Sequence, residues 1–289
     1  MKTINDFKEY QILDMAEGMK LEDWNGVKLL RPDPQIIWKE KSKPELWQDI
    51  DAIYHRSKSG GGSWEILNPK LKDRWTINYK NLTFNLKLMS FKHTGLFPEQ
   101  AYNWNLIMDK IKNSNRKVKV LNLFAYTGAA SFAALSAGAE VVHVDSSRGM
   151  VDWAKENSMS SNLQDKPIRY MVDDCLKFVK REIRRGNKYD IILMDPPSFG
   201  RGSKNEVWNI ENSLYELVEL SSELLSDDPL LFLINSYTTG LSMTVLENIL
   251  HLTVNKKHKG IISSDEIGLP MKDSELILPC GIYARWESK

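Results

Sequence analysis

The feature that most constrains the fold is a regular alternation of apolar runs and helical segments between residues 118 and 234. Runs of almost unbroken Val, Ile and Leu are typical of strands buried on both faces, as in a parallel sheet. Alternation of such strands with helices predicts βαβ units. The predicted strands are 118–124, 141–144, 168–172, 189–194 and 230–234, and the predicted helices are 127–137, 149–161, 176–185 and 206–225. The fold class is therefore α/β with a mostly parallel, Rossmann-like sheet.

The two ends of the chain differ from this central part. Short alternating stretches separated by turns fill residues 1–90, and the runs 74–79 and 82–88 are spaced for a hairpin. We therefore predict a small antiparallel β domain at 1–90 and an α/β domain at 91–289, with a helix at 98–112 and another at 243–252. Two late runs, 259–263 and 277–286, are joined by too short a loop for a crossover helix, so one of them is expected to be antiparallel.

Composition excludes several classes of protein. The chain has 289 residues, a net charge of +1 and only two cysteines, which predicts a reducing, cytoplasmic location and no disulfide framework. No Cys/His cluster suggests a metal, and no apolar run approaches the roughly 20 residues that cross a membrane. Binding to a nucleic acid would have to depend on local patches of charge. The sequence does not predict an oligomeric state.

Polar and small residues follow three successive predicted strands, at the edge where open α/β sheets bind ligands. The first strand runs into a small-residue turn, Phe124-Ala125-Tyr126-Thr127-Gly128, with a single glycine, so the nicotinamide pattern G-x-G-x-x-G is absent. The second ends at Asp145-Ser146, and an acid here is placed to accept from ribose hydroxyls. The third ends at Asp173-Asp174-Cys175, where a carboxylate would reach an adenine amino group. The plainer alternative is that polar residues in these segments only cap the helices that follow, with Thr127 as the cap of the first helix.

The fourth predicted strand ends in Asp195-Pro196-Pro197-Ser198-Phe199. Two prolines fix an extended exit from the strand, and their carbonyls are possible acceptors for a substrate amine. Asp195 adds a carboxylate, and the ring of Phe199 offers a face on which a flat base can stack. The alternative is a stiff loop with a buried phenylalanine.

These segments together resemble class I S-adenosylmethionine-dependent methyltransferases, and more narrowly the group of bacterial 23S ribosomal RNA methyltransferases. The similarity runs from about Lys92 to Trp286 and rests on KHTGLFPEQ, FAYTG, VD, DD and DPPSFGRG. It implies a seven-stranded sheet with an antiparallel last strand and S-adenosylmethionine as cofactor. It also implies cofactor-binding roles for Phe97, Gln100, the segment 124–128, Asp145 with Ser146, and Asp174 with Cys175. Asp195, Pro196, Pro197 and Phe199 would then face the methyl acceptor.

The same resemblance bears on the substrate, which we expect to be a base nitrogen of ribosomal RNA. Relatives that methylate cytosine at carbon 5 need a cysteine nucleophile, and Asn235-Ser236-Tyr237-Thr238 stands where that thiol would lie. No clear counterpart of the small RNA-binding domain that begins some relatives is present. The alternatives are methylation of protein, DNA, a small molecule or carbon 5 of cytosine in RNA. A further alternative is a non-catalytic RNA-binding role on the same fold.

Positive charge near the fourth strand supplies candidate substrate contacts. Ser198, Arg201 and Lys204 are predicted to bind the substrate, because they surround the Pro-Pro segment. Six further cations lie on or just after the helix 176–185, either as a phosphate-binding face or as an ordinary solvated exterior. Trp208 is equally open, either stacking a base or beginning a helix core.

Overall fold

A computed structural model describes residues 1–57, 61–201 and 206–289 of the chain. The chain divides into two compact units. One consists of residues 102–267 and 281–289 with Met1, and the other of residues 2–101 and 268–280.

The unit that contains residues 2–101 is built mainly from short strands. Five of them form one sheet in the order β2-β3-β4-β5-β6, and β7 and β8 form a separate antiparallel hairpin. The strands are β1 (Lys2–Thr3), β2 (Tyr10–Ala16), β3 (Met19–Trp24), β4 (Lys28–Pro32), β5 (Ala52–Arg56), β6 (Gly62–Ile66), β7 (Trp75–Tyr79) and β8 (Leu82–Leu86), and 3-10 helices span Pro44–Gln48 and Pro98–Gln100. The antiparallel prediction is confirmed for most pairs, but β4 and β5 are parallel. Residues 33–51 provide the longer connection that a parallel pair requires.

The other unit contains the βαβ units that the sequence predicted. Its helices are α1 (Ala101–Asn113), α2 (Ala129–Ser136), α3 (Arg148–Ser160), α4 (Cys175–Arg185), α5 (Ile210–Ser222), α6 (Met243–Leu252) and α7 (Val254–Lys257). The remaining strands of the chain are β9 (Lys119–Leu123), β10 (Glu140–Asp145), β11 (Ile168–Val172), β12 (Ile191–Met194), β13 (Phe199–Arg201), β14 (Val207–Asn209), β15 (Leu231–Ser236), β16 (Gly260–Pro270) and β17 (Ile277–Ser288). The predicted helix at 243–252 is confirmed at both ends.

The large sheet has the strand order β1-β16-β17-β15-β12-β9-β10-β11. Strands β15, β12, β9, β10 and β11 are parallel to one another, whereas β17 is antiparallel to β15, as predicted. The sheet has eight strands instead of the predicted seven. The chain leaves β9 toward β10 on one side and later returns to β12 on the other. This reversal of strand order marks the crevice where open α/β sheets bind ligands.

The core of this unit explains the apolar runs of the sequence. Strands β12 and β15 are buried along their whole length, and β9 is buried from Val120 onward. Helices α4 and α5 pack on the same core through Phe178, Val179 and Leu217, all fully buried. Within the described ranges, no helix combines the length and the hydropathy needed to cross a membrane.

One part of the predicted order is wrong. A helix was expected from 206 to 225, but residues 207–209 form strand β14, which pairs with β13, and α5 begins only at Ile210. The Asn209 side chain accepts from the backbone N–H of Asn212 at 3.2 Å and so caps α5. Tertiary pairing of β13 with β14 therefore overrides the helical pattern in this short stretch.

Candidate functional site

The carboxyl ends of four parallel strands meet at the strand-order reversal. Leu123 at the end of β9 is in register with Val144 of β10 on one side and with Met194 of β12 on the other. Asp145 is in register with Val172 at the end of β11. The polar segments predicted from the sequence therefore leave the sheet at one edge and at one level.

The turn after β9 spans residues 124–128 and is called the glycine turn below. Three of its residues, Phe124, Tyr126 and Gly128, have φ between 51° and 94°, which is the left-handed region. A Cβ on Gly128 would lie 2.6 Å from the ring of Phe132, so this position requires glycine in both conformation and space. Gly128 also precedes α2 as its N-cap, and Thr127 is buried. The alternative that Thr127 is the N-cap of this helix is therefore wrong.

Asp145 connects the end of β10 to the glycine turn. Its Oδ2 accepts from the backbone N–H of Tyr126 at 2.9 Å, and its Oδ1 accepts from that of Ser147 at 2.8 Å. Burial raises the pKa of the Asp145 carboxyl, and the two N–H groups act in the opposite direction. A carboxylate has about four acceptor sites, so each oxygen keeps one for a hydroxyl of a ligand. The cap of α3 is Ser147, so neither Asp145 nor Ser146 has that role.

A buried polar chain beneath the glycine turn is a feature that the sequence did not reveal. Asn122 donates to Ser131 Oγ at 3.0 Å, and Ser131 Oγ lies 3.1 Å from His143 Nδ1. The three side chains come from β9, α2 and β10, the elements that flank the turn. Burial lowers the pKa of His143 to about 3, so the ring is neutral and the chain joins the three elements without a buried charge.

Two adjacent acids, Asp173 and Asp174, follow β11, and the sequence did not show which of them caps the next helix. Asp173 forms an ion pair with Arg181, whereas Asp174 caps α4, accepting from the backbone N–H of Lys177 at 2.8 Å. The cap uses Oδ1 of Asp174, so Oδ2 has capacity for a ligand donor. Cys175 is buried, and its Sγ accepts from the backbone N–H of Phe124 at 3.4 Å. It thereby fixes the first residue of the glycine turn.

The turn after β12, residues 195–199, is called the diproline turn below. Asp195 is half-buried, Pro196 is buried, and Phe199 is 56% exposed. The carbonyl of Pro197 accepts from the indole N–H of Trp208 at 2.6 Å. The hydroxyl oxygens of Ser198 and Thr238 lie 2.7 Å apart, which attaches the turn to the segment after β15. The Phe199 side chain is therefore not the buried residue of a stiff loop.

The predicted cationic residues differ in their exposure and in their ion pairs. Arg201 is exposed, with its guanidinium 6.0 Å from the centre of the Phe199 ring, and Lys204 lies outside the described residues. On α4, Lys177 pairs with Glu206 at 2.6 Å, Lys180 pairs with Glu216 at 2.8 Å, and Arg185 pairs with Glu182 at 2.9 Å. These pairs favour a solvated helix exterior over a phosphate-binding face.

Phe97 and Gln100 belong to the other compact unit. Gln100 is 7% exposed at the end of a 3-10 helix, and the Phe97 ring lies 5.2 Å from that of His93. Arg31, which forms a buried ion pair with Glu22, donates to the carbonyl of Lys92 at 2.9 Å and so anchors the start of this segment. No pattern in the residues themselves pointed to Gln100, which entered only through the resemblance.

The segment after β15 and the two cysteines show whether a thiol is placed to attack a substrate covalently. Asn235 is buried and accepts from Asn103 at 2.9 Å, and Ser236 is buried beside it. Burial raises the pKa of both Cys175 and Cys280, which disfavours the thiolate that a nucleophile requires. In the described part of the chain, no three His, Cys, Asp or Glu side chains are grouped closely enough to hold a metal ion.

Comparisons with known proteins agree with this geometry. The family model for S-adenosylmethionine-dependent methyltransferases matches residues 50–252. The ribosomal RNA large subunit methyltransferase K/L of Shewanella frigidimarina is 35% identical over 171 residues, which cover 58% of this chain and 23% of that protein. The protein of the same name from Colwellia psychrerythraea is 28% identical over 210 residues, covering 70% and 28%. The chain thus spans about a quarter of the length of these curated relatives.

Solved structures extend the similarity to nearly the whole chain. The S-adenosylmethionine-dependent methyltransferase from Agrobacterium tumefaciens is 33% identical with a TM-score of 0.93, and the match covers 99% of this chain and 93% of that one. A methyltransferase fold crystallised with S-adenosylhomocysteine matches at a TM-score of 0.72, with 18% identity and coverage of 98% and 76%. The chain therefore belongs to the S-adenosylmethionine-dependent methyltransferase family, and S-adenosylmethionine is its cofactor.

Proposed function

We propose that this methyltransferase modifies a base nitrogen of ribosomal RNA. The observation that carries the proposal is the diproline turn, which leaves β12 beside the glycine turn at the strand-order reversal. An exposed Phe199 offers a surface for stacking an unpaired base, and Arg201 lies against that ring. The printed names of the curated relatives, ribosomal RNA large subunit methyltransferases, support the same substrate class.

The acceptors on the diproline turn favour an amine as the methyl acceptor. We propose that the Asp195 carboxylate and the Pro196 carbonyl, at the start of the diproline turn, accept from the substrate, while the next carbonyl, that of Pro197, accepts from Trp208. These two acceptors match the two N–H donors of an exocyclic amino group. Held in this way, the amine would direct its nitrogen lone pair away from both oxygens, and Asp195 would stabilise the positive charge that develops on nitrogen.

The cofactor, when bound, supplies an electrophilic methyl group on a sulfonium. Its proposed contacts are the glycine turn for the methionine part, Asp145 and Ser146 for the ribose, and Asp174 with Cys175 for the adenine. The free acceptor capacity of Asp145 and Asp174 fits these roles, because both carboxylates keep lone pairs after their backbone bonds. Phe97 and Gln100 are kept as proposed contacts on the strength of the family resemblance.

A nitrogen acceptor is favoured over carbon 5 of cytosine by the state of the cysteines. Attack on carbon 6 of a cytosine requires a thiolate, whereas burial raises the pKa of both thiols of the chain. The segment 235–238 carries amide and hydroxyl side chains in place of a thiol. Transfer to a nitrogen needs no covalent intermediate on the protein.

The remaining parts of the proposal concern organisation and location. We keep the division into a β-rich domain at 1–90 and a methyltransferase domain at 91–289 as a hypothesis, to be tested by expressing each part. A reaction on ribosomal RNA would take place in the cytoplasm of a bacterial cell.

The direct test labels total RNA and total protein from a strain that lacks the gene, using purified protein and S-adenosylmethionine with a radioactive methyl group. We expect label in large-subunit ribosomal RNA that nuclease removes and protease does not. Nucleoside analysis by mass spectrometry should then identify an N-methylated base. Label that is sensitive to protease, or found only in DNA or small molecules, would refute the proposed substrate. A 5-methylcytidine product would refute the nitrogen assignment.

A further inference from the structure

Trp208 contacts both turns of the site. Its indole N–H donates to the carbonyl of Pro197 in the diproline turn at 2.6 Å. Its ring lies 4.8 Å, centre to centre, from that of Phe124 in the glycine turn. The residue is only 9% exposed, and the same side chain belongs to the hydrophobic core of the unit. Its ring face is therefore covered by protein, which removes the alternative that it stacks a substrate base.

The backbone around Trp208 is held by strand pairing and by a hydrogen bond at the start of α5. It pairs with Gly200 in the β13–β14 ribbon, and a Cβ on Gly200 would lie 3.8 Å from the Cβ of Trp208. Two residues later, the backbone N–H of Ile210 donates to the carbonyl of Ser198 at 3.1 Å, where α5 begins. Trp208 thus has little freedom to move without moving the diproline turn.

The contact on the other side is equally constrained. Phe124 has a φ of 53°, and its backbone N–H donates to Cys175 Sγ at 3.4 Å. A bulky residue in the left-handed region is held there only by its surroundings. The Trp208 ring is one of those surroundings, so a displacement of Phe124 changes the surface against which Trp208 packs.

We propose that Trp208 is a positioning residue that sets the distance and angle between the diproline turn and the glycine turn. The proposal rests on the proposed function in one respect, which is that the diproline turn carries the methyl acceptor. In-line transfer depends on the approach of donor and acceptor, and a displacement of about 1 Å can cost roughly a hundredfold in rate.

The first test needs no substrate and uses hydrogen–deuterium exchange of the full chain. Trp208→Phe keeps an aromatic ring but removes the N–H donor, whereas Phe124→Leu removes the ring contact and keeps that donor. We expect Trp208→Phe to speed exchange both in residues 198–201 and in residues 124–128. We expect Phe124→Leu to speed exchange in residues 198–201 as well. Faster exchange of residues 198–201 alone in Trp208→Phe, or unchanged exchange of residues 198–201 in Phe124→Leu, would overturn the coupling.

Trp286→Phe is the matched control. Trp286 is 1% exposed in the same unit, and its indole N–H donates to Asn255 at 3.3 Å, so the substitution also removes one indole hydrogen bond from the core. It should lower the thermal midpoint without changing exchange in either turn. If Trp286→Phe accelerates exchange in both turns to the same extent, the effect of Trp208→Phe is general destabilisation and the proposal is wrong.

The second test measures methyl transfer to ribosomal RNA in a single turnover at saturating RNA and cofactor. We expect Trp208→Phe to lower the rate about tenfold or more, with the cofactor dissociation constant changed by less than about threefold. If Trp208→Phe lowers the thermal midpoint but leaves the rate of transfer unchanged, Trp208 has only a structural role. If the wild-type protein transfers no methyl group to RNA, the substrate proposal fails, and the exchange experiment still decides whether Trp208 couples the turns.

Discussion

Replacement of Asp145 by asparagine is the sharpest test of the cofactor site. Both carboxylate oxygens accept backbone N–H groups, those of Tyr126 and Ser147, at 2.9 and 2.8 Å. Asparagine has one carbonyl oxygen, so its NH₂ group must face one of these N–H donors. Asp145→Asn therefore removes the charge that the ribose hydroxyls would use and also weakens the support of the glycine turn.

The magnitude follows from the hydrogen bonds that change. A bond to a charged acceptor contributes about 1.5–3 kcal/mol, and a neutral one about 0.5–1.5 kcal/mol. For two ribose hydroxyls, the loss of charge should cost about 2–3 kcal/mol of binding free energy. This corresponds to a dissociation constant for S-adenosylmethionine that is roughly 30- to 150-fold larger.

Isothermal titration calorimetry with S-adenosylmethionine and S-adenosylhomocysteine measures this effect, and thermal unfolding monitors the fold. Asp152→Asn is the matched control, because Asp152 lies on α3 of the same unit with a side chain that is 51% exposed and paired with Lys155. We expect the control to bind normally. If Asp145→Asn lowers the thermal midpoint but binds the cofactor as the wild type does, Asp145 is a structural residue and the ribose assignment is wrong.

Three further predictions concern the glycine turn, the buried histidine and the chemistry. Gly128→Ala should lower the free energy of unfolding by about 1–2 kcal/mol from the left-handed φ alone, as measured by denaturant unfolding. An unchanged unfolding midpoint would show that this position does not require glycine. Because the pKa of His143 is lowered to about 3 from 6.5, its contribution to stability is complete above pH 6.5 and is lost as the pH falls toward 3. His143→Gln should flatten that part of the stability profile whereas His251→Gln should not, and equal slopes in both variants would exclude His143 as the source. RNA that contains 5-fluorocytidine should form no covalent adduct on a denaturing gel, and a stable adduct would show that a thiol attacks the base.

The sequence was most informative where burial alone dictates structure. Runs such as 230–234 became strands because both faces of the sheet are covered, and helix α6 followed its periodicity from Met243 to Leu252. Strand β14 was missed, because its pairing with β13 depends on a partner that a local helical pattern does not encode. Strand β1 is too short, at two residues, for any periodic signal.

The candidate site was predictable as a set of strand ends but not as a network of contacts. Asp145 and Asp195 could be proposed from the sequence because the carboxyl ends of parallel strands share one edge. The contact of Trp208 with both Pro197 and Phe124 could not be predicted, because it joins segments that are distant in the sequence. The chain Asn122–Ser131–His143 was missed for the same reason, since each residue alone reads as an ordinary core position.

The most direct measurement of the central claim compares wild type and Asp195→Ala in two assays on the same preparations. The account predicts that the variant binds S-adenosylmethionine with nearly the wild-type dissociation constant in calorimetry. It predicts that transfer of the labelled methyl group to ribosomal RNA from the deletion strain falls about a hundredfold or more, because the proposed role of Asp195 is to hold the acceptor amine and stabilise its developing charge. Wild-type rates of transfer in Asp195→Ala would remove the diproline turn from the chemistry and contradict the account.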